Sequence, residues 1–192
     1  MIAARRSGVR QRETIPCASA AGRLAKGPAA GLGAANAIAR ESLADGAKLN
    51  ELVEALADAR GLVRHRAANA LKKMQREDPV VLEPFTKQIL DAAAKEQDLR
   101  ARWNLVEVLG HLPLKGRNRA LALELLFEAM RDESAILRAN AMQSLADQAI
   151  LDPKLLPRML PIVRAALEDP GAAMRARARR LLRSLQRLPS QR

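Results

Sequence analysis

Tyrosine is absent from this 192-residue chain, and one tryptophan and two phenylalanines are all its aromatic side chains. That scarcity excludes a core built on rings and leaves few groups on which a nucleobase could stack. Cys17 is the sole cysteine, so no intrachain disulfide can form. The two histidines, His65 and His111, stand with Cys17 in no metal-ligand spacing and in no Cys/His or Ser/His/Asp arrangement, and no glycine-rich phosphate loop occurs. Neither catalysis, a cofactor nor a metal is therefore expected. No stretch reaches the ~18 consecutive apolar residues of a membrane span. The pair Arg5-Arg6 lacks the apolar run of an export signal, so the cytoplasm is the expected compartment.

What is present is small and aliphatic. Apolar residues make up 48% of the chain, dominated by alanine and leucine, which favours close-packed helices. The net charge of +12 is unevenly placed. Residues 1–26 carry a net +5, residues 170–192 carry seven arginines and no acid, and the span between nets zero. Any contact with an anionic partner is expected at the two ends.

Four copies of one pattern recur. They are Val63-Arg64-His65-Arg66-Ala67, Leu99-Arg100-Ala101-Arg102-Trp103, Leu137-Arg138-Ala139-Asn140-Ala141 and Met174-Arg175-Ala176-Arg177-Ala178. Their leading arginines stand 36, 38 and 37 residues apart, the period of a stacked supersecondary unit. Residues 1–26 have no apolar periodicity and read as a disordered basic tail; residues 27–47 read as a capping helix, and 48–188 as the repeats. First helices are expected near 49–58, 79–94, 117–131 and 153–168, and second helices near 61–76, 98–112, 134–149 and 171–188. Asp78-Pro79, Asp152-Pro153 and Asp169-Pro170 are start signals, a capping carboxylate before a proline at the first helical position. Val63, Ala67, Ala70, Leu71 and Met74 mark one apolar face, repeated at Met174, Ala178, Leu181, Leu182 and Leu185. A helix pair cannot bury such a stripe alone, so the units must stack.

The stretch Leu156-Pro157-Arg158-Met159-Leu160-Pro161, followed by Asp169-Pro170 and Met174-Arg175-Ala176-Arg177-Ala178, resembles the HEAT repeat. The resemblance covers about residues 48–188 and implies an all-α, right-handed superhelix of four helical hairpins with a tendency toward protein binding. In the second copy, position 94 is alanine where the others have aspartate, and Trp103 replaces a small alanine.

By this resemblance Arg64, Arg100, Arg138 and Arg175 form a structural ladder with the turn aspartates Asp58, Asp132 and Asp169 and nearby carbonyls. A cation in the first turn of a helix opposes the dipole, so such a recurrence calls for specific acceptors. Arg66, Arg102 and Arg177 form a second column, and Asn140 interrupts it. On the concave face, Arg66, Arg102, Asn104, Leu105, Val108, Met142, Arg177 and Arg180 are the expected partner-binding residues, an apolar centre between basic flanks. The expected function is a noncatalytic protein-interaction scaffold for an acidic or amphipathic segment. The alternative is nonspecific contact with nucleic-acid phosphates through the arginine-rich second helices, since Trp103, Phe85 and Phe127 are too few for base recognition.

Overall fold

The computed structural model of the chain describes residues 19–187. Ten α-helices follow in order: α1 (Ala20–Leu24), α2 (Ala35–Ala44), α3 (Gly46–Glu54), α4 (Gly61–Glu77), α5 (Thr86–Lys95), α6 (Leu99–His111), α7 (Gly116–Ala129), α8 (Ala135–Leu151), α9 (Leu156–Ala165) and α10 (Ala172–Leu185). Among the described residues there is no strand. The four hairpins are α3/α4, α5/α6, α7/α8 and α9/α10. Side-chain caps stand elsewhere than at the expected Asp-Pro pairs: Asp98 accepts the N–H groups of Arg100 and Ala101 at the head of α6, and Ser134 accepts that of Leu137 at the head of α8, whereas Asp152-Pro153 opens a short 3-10 segment ahead of α9 and α10 starts at Ala172 behind Gly171.

Two boundaries depart from expectation. α5 begins at Thr86 rather than near residue 79, because Pro84 would stand inside such a helix without the N–H its interior uses; a turn and a short 3-10 segment, Glu83–Phe85, fill the interval. The expected disordered tail lies outside the described residues up to residue 18, but residues 19–26 are ordered. Ser19 caps α1 by accepting the N–H of Gly22, the Ala20 N–H donates to Glu51 of α3 at 3.1 Å, and Leu24 is fully buried.

Helices α2, α4, α6, α8 and α10 lie side by side in one row. Small residues permit the closeness: a Cβ added to Gly110 of α6 would stand 2.5 Å from the Ser144 Cβ of α8. The first helices are less tightly joined. A crevice of about 740 Å³ separates α3 from α5, with Val53, Leu56 and Ala92 in its lining, and one of about 570 Å³ separates α7 from α9, where the Arg158 guanidinium lies 3.4 Å above the Phe127 ring centroid. The second helices thus form the closely packed row and the first helices the more open one.

Candidate functional site: the face of the second helices

Two polar ladders cross the stack, and together they decide which side chains remain to meet a partner. In the first, Arg64 donates through Nη1 to the carbonyls of Asp58 and Ala59 at 2.9 and 3.2 Å, while its Nε and Nη2 grip the Glu96 carboxylate of the next repeat at 2.8 and 2.9 Å. Arg138 repeats the arrangement on the carbonyls of Asp132 and Glu133, with Asp169 of the next repeat 3.8 Å away. Arg175 holds the carbonyls of Asp169 and Pro170 at 2.7 and 2.8 Å. The arginine thus takes carbonyls from its own turn and, where a further repeat follows, the acid of that repeat's turn. Asp58 keeps its carboxylate for Arg60.

The second repeat corrects the expected register. Arg100 lies outside this ladder; it donates to the Ala29 carbonyl at 3.2 Å and sits 4.0 Å from Asp98. Arg102, expected on the partner-facing edge, takes the ladder position, with Nη1 on Asp132 at 2.7 Å. Counted from Glu96 to Arg102, the acid-to-arginine interval is the same six residues found from Asp58 to Arg64, Asp132 to Arg138 and Asp169 to Arg175. The turn acid of the second repeat is therefore Glu96, two residues after Ala94. Burial pushes the Glu96 carboxyl up, but hydrogen bonds from Arg64 and from the N–H groups of Asp98 and Gln97 outweigh it and hold the group below its ordinary range.

With that register, Arg66, Asn104, Asn140 and Arg177 occupy one column, and it forms a second ladder that reaches backwards. Asn140 donates to the Trp103 carbonyl at 3.2 Å, and Arg177 to the Ala139 carbonyl at 3.2 Å. Asn104, also buried, lies 3.2 Å from His65 Nδ1 and accepts from Asn69. Burial lowers the His65 pKa. Arg66 has no preceding repeat to reach. Its guanidinium is fully buried and donates instead to the carbonyls of Gly31, Leu24, Lys26 and Pro28, the segment that follows α1. Arg66 is thus not a basic flank of an open groove.

The apolar centre expected on the concave face is absent from it as well. Leu105, Val108 and Met142 are 2%, 0% and 0% exposed. The two-residue shift explains Leu105, which matches Ala67 on the stacking face; Met142, matching Ala68, fills the tight contact between second helices. Trp103 is half-buried, its Nε1 donating to Ser134 Oγ at 3.2 Å.

What the second helices do present is polar. Lys72 and Arg76 of α4 both reach Glu107 of α6, at 3.3 and 3.1 Å, and Glu107 also accepts from Asn140 of α8. Beside them lies a depression of about 470 Å³ whose lining includes Arg76, His111, Gln143, Asp147, Arg177 and Arg180. Asp147 stands 3.7 Å from His111 and accepts from Gln143. Burial raises the Asp147 pKa, opposed by Gln143 and by the nearby charges of His111 and Arg177. Among the described residues no group of three or more His, Cys, Asp or Glu is placed to hold a metal ion, and no helix is long and apolar enough to cross a membrane.

No protein-family model matches the chain, and no curated protein does. Among solved structures it is similar to a designed armadillo repeat protein, with a TM-score of 0.54 and 18% identity over 86% of this chain and 80% of that one. At that identity the likeness speaks to fold alone, and with the helical row above it defines the class: an all-α solenoid of stacked helical repeats.

Proposed function

We propose that the chain is a noncatalytic, HEAT-like protein-binding scaffold whose partner lies along the polar face of the second helices. The observation that carries this reading is the depression around Arg76, Arg177 and Arg180, where side chains from four successive repeats converge in one open strip. Extended concave surfaces of this kind are what stacked repeats offer a ligand. Since Leu105, Val108 and Met142 are buried, the strip supplies charge and hydrogen bonds rather than an apolar groove, and an acidic segment suits it better than an amphipathic one. Arg180 is exposed and Arg177 is half-buried, so both can accept such a segment at little cost to the stack. The test is affinity capture in the presence of nuclease with the wild-type chain and with Arg76→Glu/Arg177→Glu. A defined protein held by the wild type and lost by the variant supports the reading. Equal retention by both overturns it.

A further inference from the structure

The corrected register exposes an anomaly at the far end of the stack. Position 179 of α10 corresponds to Met142 of α8 and Val106 of α6, 37 and 73 residues earlier; position 183 corresponds to Ala146 and Gly110. In the interior repeats these positions are buried, and at Gly110 the column sits against the following second helix. In α10 both positions are arginine and both are exposed. The face on which a further repeat would stack has been given over to cations.

A repeat face left uncovered needs polar residues to stay soluble, and mixed charge meets that requirement. Here Arg175, Arg179 and Arg183 fall at successive intervals of four on one stripe of α10, Arg187 follows four residues on in the turn after it, and no acid occurs anywhere from residue 170 to 192. Like charges at this spacing destabilise a helix, and the dipole at the C-terminal end offsets this only for Arg183 and Arg187, not for Arg179 in the middle of α10. Arg175 is held by its turn carbonyls, whereas Arg179, Arg183 and Arg187 have no ion-pair partner among the described residues. At about 1.5 Å of rise per residue, Arg179 and Arg183 stand about 6 Å apart along α10, and Arg187 follows in the turn just beyond Leu185.

We infer that this outer stripe of α10 is a docking surface for the phosphate backbone of duplex DNA, read without sequence preference. The row matches a ligand that is itself a regular line of anions, with one charge per about 1.7 Å of duplex axis. Each member is an arginine, whose planar fork fits phosphate in bidentate fashion. The exposed residues beside the row on α10 are alanines, Ser184 and Arg180, with no aromatic or large aliphatic group among them, so the face offers a ligand charge and little else. Lacking an aromatic side chain, α10 offers no ring on which a base could stack. The stripe adjoins the strip proposed for a protein partner at Arg180 but shares no residue with it, since that strip uses Arg76, Arg177 and Arg180.

The experiment is fluorescence anisotropy of the full-length chain with a short random-sequence DNA duplex over a salt series, comparing the wild type with Arg179→Ala/Arg183→Ala and with Arg5→Gln/Arg6→Gln/Arg10→Gln/Arg12→Gln. The α10 variant is expected to keep its melting temperature, to bind about tenfold or more weakly at low salt, and to lose about two units of the log–log salt slope. The N-terminal variant is expected to retain the α10-dependent part of the slope. An absence of binding by the wild type at low salt, or an unchanged slope in the α10 variant, overturns the inference. So does loss confined to the N-terminal variant. Polyglutamate of equal charge competing as well as DNA would assign the stripe to acidic protein, and tighter binding to duplex RNA would assign it to that nucleic acid.

Discussion

Arg66 and Arg177 hold the same place in the first and last repeats and meet opposite surroundings. Arg66 is enclosed by four backbone carbonyls of the segment that precedes the repeats, whereas Arg177 touches one carbonyl of α8 and the Asn140 side chain and remains partly in water. The helix carrying each is similar; what differs is the chain beyond it. At the N-terminal end α1 and α2 continue the stack, so an arginine reaching backwards finds acceptors and is sealed in. The exposed outer face of α10 is a stacking column rewritten in arginine. A repeat position therefore has no fixed role: whether it is core, ladder or surface depends on whether a neighbour covers it.

The sharpest way to break this comparison is to place one charge on the same column at both sites. Met142→Asp puts a carboxylate into a fully buried contact and is expected to cost about 5 kcal/mol or more, enough to unfold the chain, while Arg179→Asp on the equivalent exposed position should leave the melting temperature unchanged or slightly raised. Comparable melts for the two would mean that the column is not shared. Next in size, Arg66→Ala removes a buried charged donor and orphans the carbonyls around it, a loss of about 4 kcal/mol, against less than about 1 kcal/mol for Arg177→Ala. Chemical denaturation measures both, and amide exchange should show residues 20–31 opening first in the Arg66 variant. An Arg66→Ala protein as stable as the wild type would show that the N-terminal segment is not clasped by this side chain.

A smaller contrast separates the interior ladder from its last member. Arg138→Ala removes the contacts with both its own turn and the next repeat's Asp169 and should cost about 1–3 kcal/mol; Arg175→Ala has no following acid to lose and should cost less. The reverse order in denaturant titrations would deny the inter-repeat half of the ladder. Acid should act chiefly on the N-terminal half. The hydrogen-bonded Arg23 guanidinium holds the Glu41 carboxyl down to about 2, and Glu96 is likewise lowered. Groups depressed in the fold contribute stability that is complete above their unfolded value, near 4.5, and is lost as pH falls through the folded one. Thermal melts should therefore decline between about pH 5 and pH 2, and Arg23→Gln should flatten that decline. An unaltered profile in the variant would remove Glu41 from the acid response.

Much of this was legible in the residues. The period near 37, the alternation of helices and the apolar faces of α4 and α10 follow from spacing alone, because a 3.6-residue turn places i, i+4, i+7 and i+8 on one side whatever the surroundings. The second repeat was harder: two arginines two residues apart both satisfy a loose pattern, and Glu96 is an acid where aspartate stood elsewhere. The acid-to-arginine interval of six would have fixed that register. No comparable signal marked Arg66, whose sequence neighbours differ little from those of Arg177.

By itself the sequence determined the repeat, its length, its helical content and the concentration of positive charge toward the ends, since each of these depends on composition and on contacts within a few turns of helix. The tertiary structure decided which side chains remain available: it buried Leu105, Val108 and Met142, moved Arg102 into the ladder and enclosed Arg66. Those outcomes rest on how far one helix stands from the next. Periodicity can state which residues share a face, but only the packed neighbour states whether that face meets water.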